Sequence, residues 1–117
     1  MRILTRKEFM KLPIGTVWSY YEPSCFRELN IKASDLSEWE NDFLFDPLIG
    51  EIENKGSDDF SIKCDKMEGG ESFPMDFDQT GREGLFDQEQ LFAIYEEEDV
   101  KKLVARLQKT LMKQLTK

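Results

Sequence analysis

The 117-residue sequence contains no histidine and only two cysteines, Cys25 and Cys64, which are far apart in the chain. An ordinary zinc site needs four nitrogen or sulfur ligands, so this composition argues against one. Without histidine there is also no Ser–His or Cys–His pair to activate a nucleophile. We therefore expect a protein that is not an enzyme, with two free and mostly buried thiols.

Long hydrophobic runs are missing as well. No run approaches the roughly 20 apolar residues of a membrane span, and the N-terminal MRILTRKEF is too densely charged for a signal peptide. We expect a cytoplasmic protein without membrane contact. Apolar residues make up 39% of the chain, which is too many for a disordered protein, and the length predicts one domain, residues 1–117.

Basic residues are scarce in the middle of the chain. Residues 14–100 hold 23 acids against six basic residues, whereas residues 101–117 hold six basic residues and no acid. A negative surface favours a positively charged partner, such as a nucleic-acid-binding protein, and disfavours direct binding of nucleic acid. The alternative is that part of this segregation reflects helix electrostatics and a solvated basic face.

The first half of the chain predicts one short helix followed by strands. Thr5 and Glu8 match a capping box, and Leu4 and Phe9 match a hydrophobic staple, so a short helix begins at Thr5. The β-branched and aromatic run TVWSYYE predicts a strand over 16–22, and the alternating ELNIKA predicts another over 28–33. Pro47 interrupts DFLFDPLIGEIE, which reads as two short strands or one kinked edge strand.

The second half predicts further strands and a long helix. Phe60, Ile62 and Cys64 alternate in DFSIKCD, which favours a strand, while the irregular residues 67–84 are either functional or mobile. QLFAIYE suits a strand with both faces covered, although it also fits a helix start. A helix over about 97–115 follows, because its apolar residues recur at helical spacing in one stripe: Val100, Leu103, Val104, Leu107, Leu111 and Leu115.

These elements predict an α+β fold. We expect a short N-terminal helix, a small bent antiparallel sheet of about five strands and a long C-terminal helix packed on the sheet. Leu103, Leu107 and Leu111 should then be buried against the sheet.

Both ends of the chain carry a family resemblance. ILTRKEFMKLPIGTVWSYYEPSCF with LNIK, and GLFDQEQLFAIYEEEDVKKLVARLQ, resemble small proteins of no known activity that tailed bacteriophages and prophages encode. The resemblance covers about half of the chain. It implies phage origin and an intracellular accessory role, and it supplies no site residues.

An aspartate-rich segment offers a candidate Ca²⁺ site. Asp76, Asp78, Thr80 and Asp87 match the ligand positions of an EF-hand loop. Pro74 is incompatible with the helix that precedes an EF-hand loop, so a polar turn without metal is the alternative. We expect no cofactor.

A second carboxylate group could serve a metal-dependent nuclease. Glu51, Glu53 and Lys55 alternate as a carboxylate–lysine motif that holds Mg²⁺ and orients water in such enzymes. A net-acidic domain repels DNA, so solvated strand charges are the better interpretation.

The segment SDLSEWENDFLFD predicts a partner-binding site at Glu38, Trp39, Glu40 and Asp42. An aromatic anchor rimmed by carboxylates is typical of an interface with a basic partner. The alternative places the phenylalanines of this segment in the core, with only Trp39 partly exposed.

Three functions remain open. The leading hypothesis is a non-enzymatic phage-type accessory protein that binds a host or phage protein through its acidic surface and inhibits a nucleic-acid-binding or defence complex by phosphate mimicry. The first alternative is a structural or assembly accessory acting through oligomerisation. The second is a divalent-metal-dependent enzyme or a Ca²⁺-binding module.

Overall fold

A computed structural model of the chain describes residues 1–35, 42–84 and 87–116. Within these ranges the chain forms six strands and three helices. In chain order they are β1 (Arg2–Thr5), α1 (Arg6–Phe9), β2 (Val17–Glu22), β3 (Cys25–Asp35), β4 (Phe43–Pro47), α2 (Ser57–Glu68), β5 (Gly81–Arg82), β6 (Leu91–Tyr95) and α3 (Glu97–Leu115). None of the helices in these ranges combines the length and apolar character that crossing a membrane requires.

The six strands form one antiparallel sheet in the order β1-β6-β2-β3-β4-β5. This confirms the α+β class, with one strand more than the five expected. Strand β1 was not predicted: residues 2–5 pair with β6, with Leu4 opposite Phe92. Its partner strand, β6, lies about ninety positions away in the chain, so no local sequence pattern predicts β1.

Helix α1 begins as the capping box predicts. The backbone N–H of Glu8 donates to Thr5 Oγ1 at 3.3 Å, and the backbone N–H of Thr5 donates to Glu8 Oε1 at 3.1 Å. These contacts lower the pKa of the Glu8 carboxyl. Because the helix start is fixed, Phe9 lies directly over the sheet and is fully buried.

An aromatic core lies between α1 and one face of the sheet. Its fully buried members are Phe9, Trp18, Phe43 and Phe92. The Phe9 and Phe92 rings stack at 4.6 Å between centroids, and Trp18 meets Phe9 edge-on at 5.4 Å. The chain therefore concentrates its aromatic residues on the face that α1 covers.

The predicted strand over DFSIKCD is wrong, because these residues belong to helix α2. Phe60 and Cys64 are one helical turn apart and half-buried, whereas Ile62 between them is exposed. Asp59 supports the helix start by accepting from the Lys55 backbone N–H at 2.9 Å and pairing with Lys63 at 3.2 Å. A short alternating run fits a helix whenever its i and i+4 positions are the apolar ones.

The expectation of two mostly buried thiols is also corrected. Cys64 is half-buried in α2, but Cys25 is exposed. Cys25 starts β3 directly after the tight turn at Ser24, which has φ of 64°, so its side chain stands at the rim of the sheet.

Candidate interaction surface

The start of α3 is joined to the edge of the sheet by two partly exposed ion pairs. Its first turn has a capping box in which the Glu96 backbone N–H donates to Asp99 Oδ2 at 3.0 Å. The N-terminal amino group pairs with Asp99 at 2.8 Å, and Arg2 pairs with Glu96 at 2.9 Å. The amino terminus and the Glu96 N–H lower the pKa of the Asp99 carboxyl. These contacts tie the helix to β1 and fix its direction.

Only the first half of α3 packs on the sheet, on the face opposite the aromatic core. Val100 and Leu103 are half-buried, and the helix contacts β6. A groove of about 680 Å³ runs along one flank of the helix, between Val104 and the residues 12–17 segment. A second groove, of about 390 Å³, lies between Leu103 and Leu29 on the other flank. The predicted packing of the C-terminal helix on the sheet is thus confirmed for these turns.

From Val104 to its end, α3 leaves its apolar side exposed. The fractional exposures are 46% for Val104, 61% for Leu107, 54% for Leu111 and 71% for Leu115. The expected burial of Leu107 and Leu111 is therefore wrong, because both side chains are more than half exposed. We call these four residues the α3 stripe.

The basic side chains of α3 lie mostly on the side of the helix opposite the α3 stripe, because Lys102, Arg106, Lys109 and Lys113 fall roughly half a turn away from it. Residues 100–116 include five basic side chains and no acid, and the basic ones are Lys101, Lys102, Arg106, Lys109 and Lys113. Isolated exposed leucines are common on protein surfaces, but four apolar residues in one line form a continuous patch. A continuous apolar patch on an exposed helix is typical of the surfaces that protein interfaces bury.

A second apolar surface lies on the same face of the sheet, over β3 and β4. Val17, Ile31 and Tyr95 are register partners across three strands, so their side chains share the face on which α3 packs. Beyond α3 this face opens into a groove of about 440 Å³, which we call the β3–β4 groove. Apolar residues (Ile31, Pro47, Leu48, Phe77) and two acids (Asp46, Asp78) line it.

The β3–β4 groove borders an acidic lobe, which we define as residues 48–80. The lobe contains α2 and holds nine acids against three basic residues. Backbone bonds close it, since the Glu53 N–H donates to the Pro74 carbonyl at 2.9 Å and the Asp76 N–H donates to the Glu51 carbonyl at 2.7 Å. Helix α2 has no fully buried residue. The lobe therefore stands at the periphery and carries a large share of the negative charge.

The predicted partner-binding site is only partly within the described ranges. Glu38, Trp39 and Glu40 lie outside the described residues. Asp42 is described, and its side chain is fully buried rather than available to a partner. Its carboxylate accepts hydrogen bonds from the backbone N–H of Phe43 at 2.8 Å and of Gly84 at 3.0 Å, and it pairs with Arg82.

The placement of Asp42 has a clear electrostatic reason. Burial raises the pKa of its carboxyl, but the hydrogen bonds from Gly84, Arg82 and Phe43 outweigh burial, and the pKa falls below its ordinary value. The buried carboxylate therefore has its hydrogen-bonding partners inside the protein. It connects the start of β4 with the end of β5. Asp42 therefore has a structural role, and this finding corrects the prediction that it contacts a partner.

The structure places the four candidate Ca²⁺ ligands in separate local contacts. Asp76 accepts from the Asp78 backbone N–H at 2.9 Å, whereas the Thr80 hydroxyl donates to Asp46 at 2.7 Å. Asp87 accepts from the Glu89 backbone N–H at 2.9 Å. Within residues 1–35, 42–84 and 87–116, no three His, Cys, Asp or Glu side chains form a group suited to a metal ion. The Ca²⁺ interpretation stays a prediction, as does the nuclease-like interpretation of Glu51, Glu53 and Lys55.

Two buried cations were not predicted from the sequence. Arg6 and Glu83 form a fully buried ion pair, and the Arg6 guanidinium lies 5.9 Å from the centre of the Phe43 ring. Lys32 is also fully buried and donates to the carbonyl of Leu12 at 2.8 Å and of Met10 at 3.2 Å. Lys32 alternates with apolar residues in a predicted strand, and this pattern places it on the solvated face, so no local signal indicates its burial. Both cations organise the core and offer no open site.

Comparison of the chain with protein-family models, with curated proteins and with solved structures found no match. The candidate surfaces therefore stand on their own geometry and charge.

Proposed function

We propose that this chain is a non-enzymatic binding protein that recognises another protein through the α3 stripe. The observation that carries the proposal is the exposure of Val104, Leu107, Leu111 and Leu115 on a helix whose first turn is ion-paired to the edge of the sheet. This proposal keeps the predicted accessory role of a cytoplasmic phage protein and places its contact surface on α3.

The energetics favour a partner for this surface. Burial of a Leu or Val side chain contributes about 1.5–3 kcal/mol, and the stripe residues, which are 46–71% exposed, lack roughly half of this contribution in the isolated chain. Because α3 is anchored by Asp99 and Glu96, its second half is presented in a defined direction. A partner then orders few additional groups on binding, which lowers the entropic cost of association.

Affinity capture with matched baits tests the proposal. The stripe variant, Leu107→Asp with Leu111→Asp, adds two charges to the α3 stripe at exposed positions. The control variant, Ala105→Asp with Met112→Asp, adds the same charge at exposed positions on another side of the helix. We expect the wild-type protein and the control to retain the same partner from a lysate of the source cell, and the stripe variant to lose it. An identical set of bound proteins on all three baits would contradict the proposal.

The acidic lobe supports a second candidate function, which is binding of a basic or nucleic-acid-binding protein by phosphate mimicry. Nine acids against three basic residues in residues 48–80 favour this candidate. Asp65→Lys with Glu68→Lys should slow association and flatten its salt dependence, because exposed charges steer encounter. Asp87→Lys with Glu89→Lys is the control outside the lobe. Equal association rates for the two variants would show that the lobe is not part of the interface.

A further inference from the structure

Asn30 is a buried amide without a hydrogen bond. It lies in β3, and the residue is 1% exposed. Neither its Oδ1 nor its Nδ2 has a hydrogen-bond partner among residues 1–35, 42–84 and 87–116. Its register partner on β2 is Trp18, whose indole N–H is also buried without a partner. Most buried polar groups in folded proteins are paired, so an amide in this state is suited to a partner from outside the chain.

Asn30 lines a groove of about 410 Å³, which we call the Asn30 groove. Asn30 lies opposite Trp18 on β2 and Pro47 on β4, and directly opposite residues share a face, so the groove adjoins the aromatic core. Phe45 packs against this core, and Ile49 is 78% exposed; both line the groove and make it largely apolar. An apolar cavity of this size with a few polar groups is typical of a small-molecule site.

A β-bulge brings a carboxylate to the same groove. The register between β2 and β3 shifts between Trp18 and Tyr20, so Glu28 and Leu29 lie opposite the single residue Ser19. Glu28 has φ of 63°, a value that residues other than glycine rarely adopt, and the Ser19 hydroxyl donates to its backbone carbonyl. Bulges and strained residues of this kind are concentrated at binding sites.

Glu28 and Asn30 together define the chemistry of the groove. The Glu28 side chain is exposed, lines the groove and forms no ion pair within the described ranges. Because the two residues are two positions apart in β3, one small molecule can reach both of them. The groove therefore offers a donor and an acceptor from one amide, with a negative charge nearby.

We propose that the Asn30 groove binds a small organic molecule that carries an amide-type group and a positive charge. The planar edge of the ligand, with one donor and one acceptor, pairs with the side chain of Asn30. The apolar body of the ligand lies against Phe45 and Ile49, and its cation lies beside Glu28. The site is separate from the α3 stripe, because the aromatic core and α3 lie on opposite faces of the sheet.

Other classes of small molecule suit this groove less well. A carboxylate ligand only accepts hydrogen bonds, so it leaves the Asn30 donor unpaired, and Glu28 repels it. None of the lining residues is basic, which disfavours phosphates for the same reason. A pure hydrocarbon fills the apolar part but leaves both polar atoms of Asn30 without a partner.

An NMR titration with three matched molecules tests the proposal. The probe is para-aminomethylbenzamide, which has the amide, an apolar ring and the cation. In para-methylbenzylamine a methyl group replaces the amide, and in para-methylbenzamide a methyl group replaces the aminomethyl cation. The methyl signals of Leu29 and Ile49, which line the groove, report binding.

We expect the probe to shift these signals saturably, with a Kd of about 1 mM. The amine without the amide should bind about fivefold or more weakly, because it leaves Asn30 unpaired. The neutral amide should bind about twofold to fivefold more weakly than the probe, and this difference should disappear in about 0.5 M NaCl.

Three variants assign these differences to residues. Asn30→Leu should lower the affinity of both amides to that of the amine, yet unfold at no lower urea concentration than the wild type, because it breaks no hydrogen bond within the described chain. Glu28→Gln should lower the affinity of the probe and leave that of the neutral amide unchanged. Glu71→Gln, at an exposed position in the acidic lobe, is the charge-matched control and should change neither.

Three results would overturn the inference. The first is the absence of saturable shifts at about 10 mM probe. The second is equal affinity of the wild type for the probe and for the amine without the amide, which would indicate an apolar groove that does not recognise amides. The third is an Asn30→Leu variant that binds the probe as tightly as the wild type. If that variant does not fold, the comparison of the three molecules on the wild type decides by itself.

Discussion

At the scale of single residues, the main finding is that several charges of this highly charged chain lie inside it. Asp42, Arg6, Glu83 and Lys32 are all buried, and each has an ionic or hydrogen-bonding partner. Removing one member of such a group leaves the other members without a contact that compensates for their loss of water. Their contribution to stability should therefore exceed that of the many exposed charges.

Asp42→Asn tests this contribution. The variant weakens the hydrogen bonds from Gly84 and Arg82, so its free energy of unfolding at neutral pH should fall by about 1–3 kcal/mol. The folded-state pKa of Asp42 lies below its ordinary value, so its contribution is present above about pH 4 and is lost as pH falls through the folded-state pKa. Urea unfolding at several pH values should show the difference from wild type shrinking in acid. Asp58→Asn, at an exposed position of α2, should change little at any pH; equal effects of both variants would contradict the structural role of Asp42.

Tyr20 should govern stability in alkali. Burial, with a smaller effect of the Glu83 and Glu28 carboxylates, raises the pKa of Tyr20 from 10.0 to about 12. The folded state keeps the proton that the unfolded state loses, so the stabilisation is complete below about pH 10 and disappears as pH rises towards 12. Tyr20→Phe should flatten the fall in unfolding free energy over this range. If the unfolding free energy of the variant still falls steeply in alkali, groups other than Tyr20 cause the effect.

At the scale of elements, α3 divides into an anchored half and a projecting half. The anchored half has two ion pairs and half-buried apolar residues, whereas the projecting half holds the α3 stripe. A helix that served only to cover the sheet would not need these last three turns. Under the proposed function, this division separates a folding role from a binding role within one helix.

Truncation of a stripe residue should leave the fold nearly as stable as before. Leu107→Ala should change the free energy of unfolding by less than about 0.5 kcal/mol at low protein concentration, because Leu107 is exposed in the single chain. Phe9→Ala should cost about 3–5 kcal/mol, because Phe9 lies at the centre of the aromatic core. Chemical denaturation measures both. A cost for Leu107→Ala close to that of Phe9→Ala would mean that the stripe packs within its own molecule.

The elements that could be predicted from the sequence are those decided by local contacts. The capping box at Thr5, strand β6 and the bounds of α3 depend on neighbouring residues, and their predictions are confirmed. Strand β1 exists only because β6 pairs with it, and Asp42 is buried only because Arg82 and Gly84, some forty residues later, surround it. Contacts between distant segments leave no periodic signal in the chain. The stripe itself was predicted, but whether it faced a sheet or solvent depended on how far α3 extends beyond the sheet.

At the scale of the whole molecule, the same two parts of the chain account for its extended shape and its separated charges. The Cα radius of gyration is 16.9 Å, whereas a compact domain of this length has about 13 Å. The projecting half of α3 and the peripheral acidic lobe account for this extension. The basic side chains of α3 and the acids of the lobe thus lie at different places on one small protein.

The most direct test of the central claim is methyl NMR of leucine-labelled protein, which observes the α3 stripe itself. The account predicts that, as the partner is added, the methyl signals of Leu107, Leu111 and Leu115 shift and broaden. The signals of Leu4, which packs beside the aromatic core, should stay in place. Complex formation that leaves the three stripe leucines unperturbed would contradict the claim that the exposed half of α3 is the binding surface.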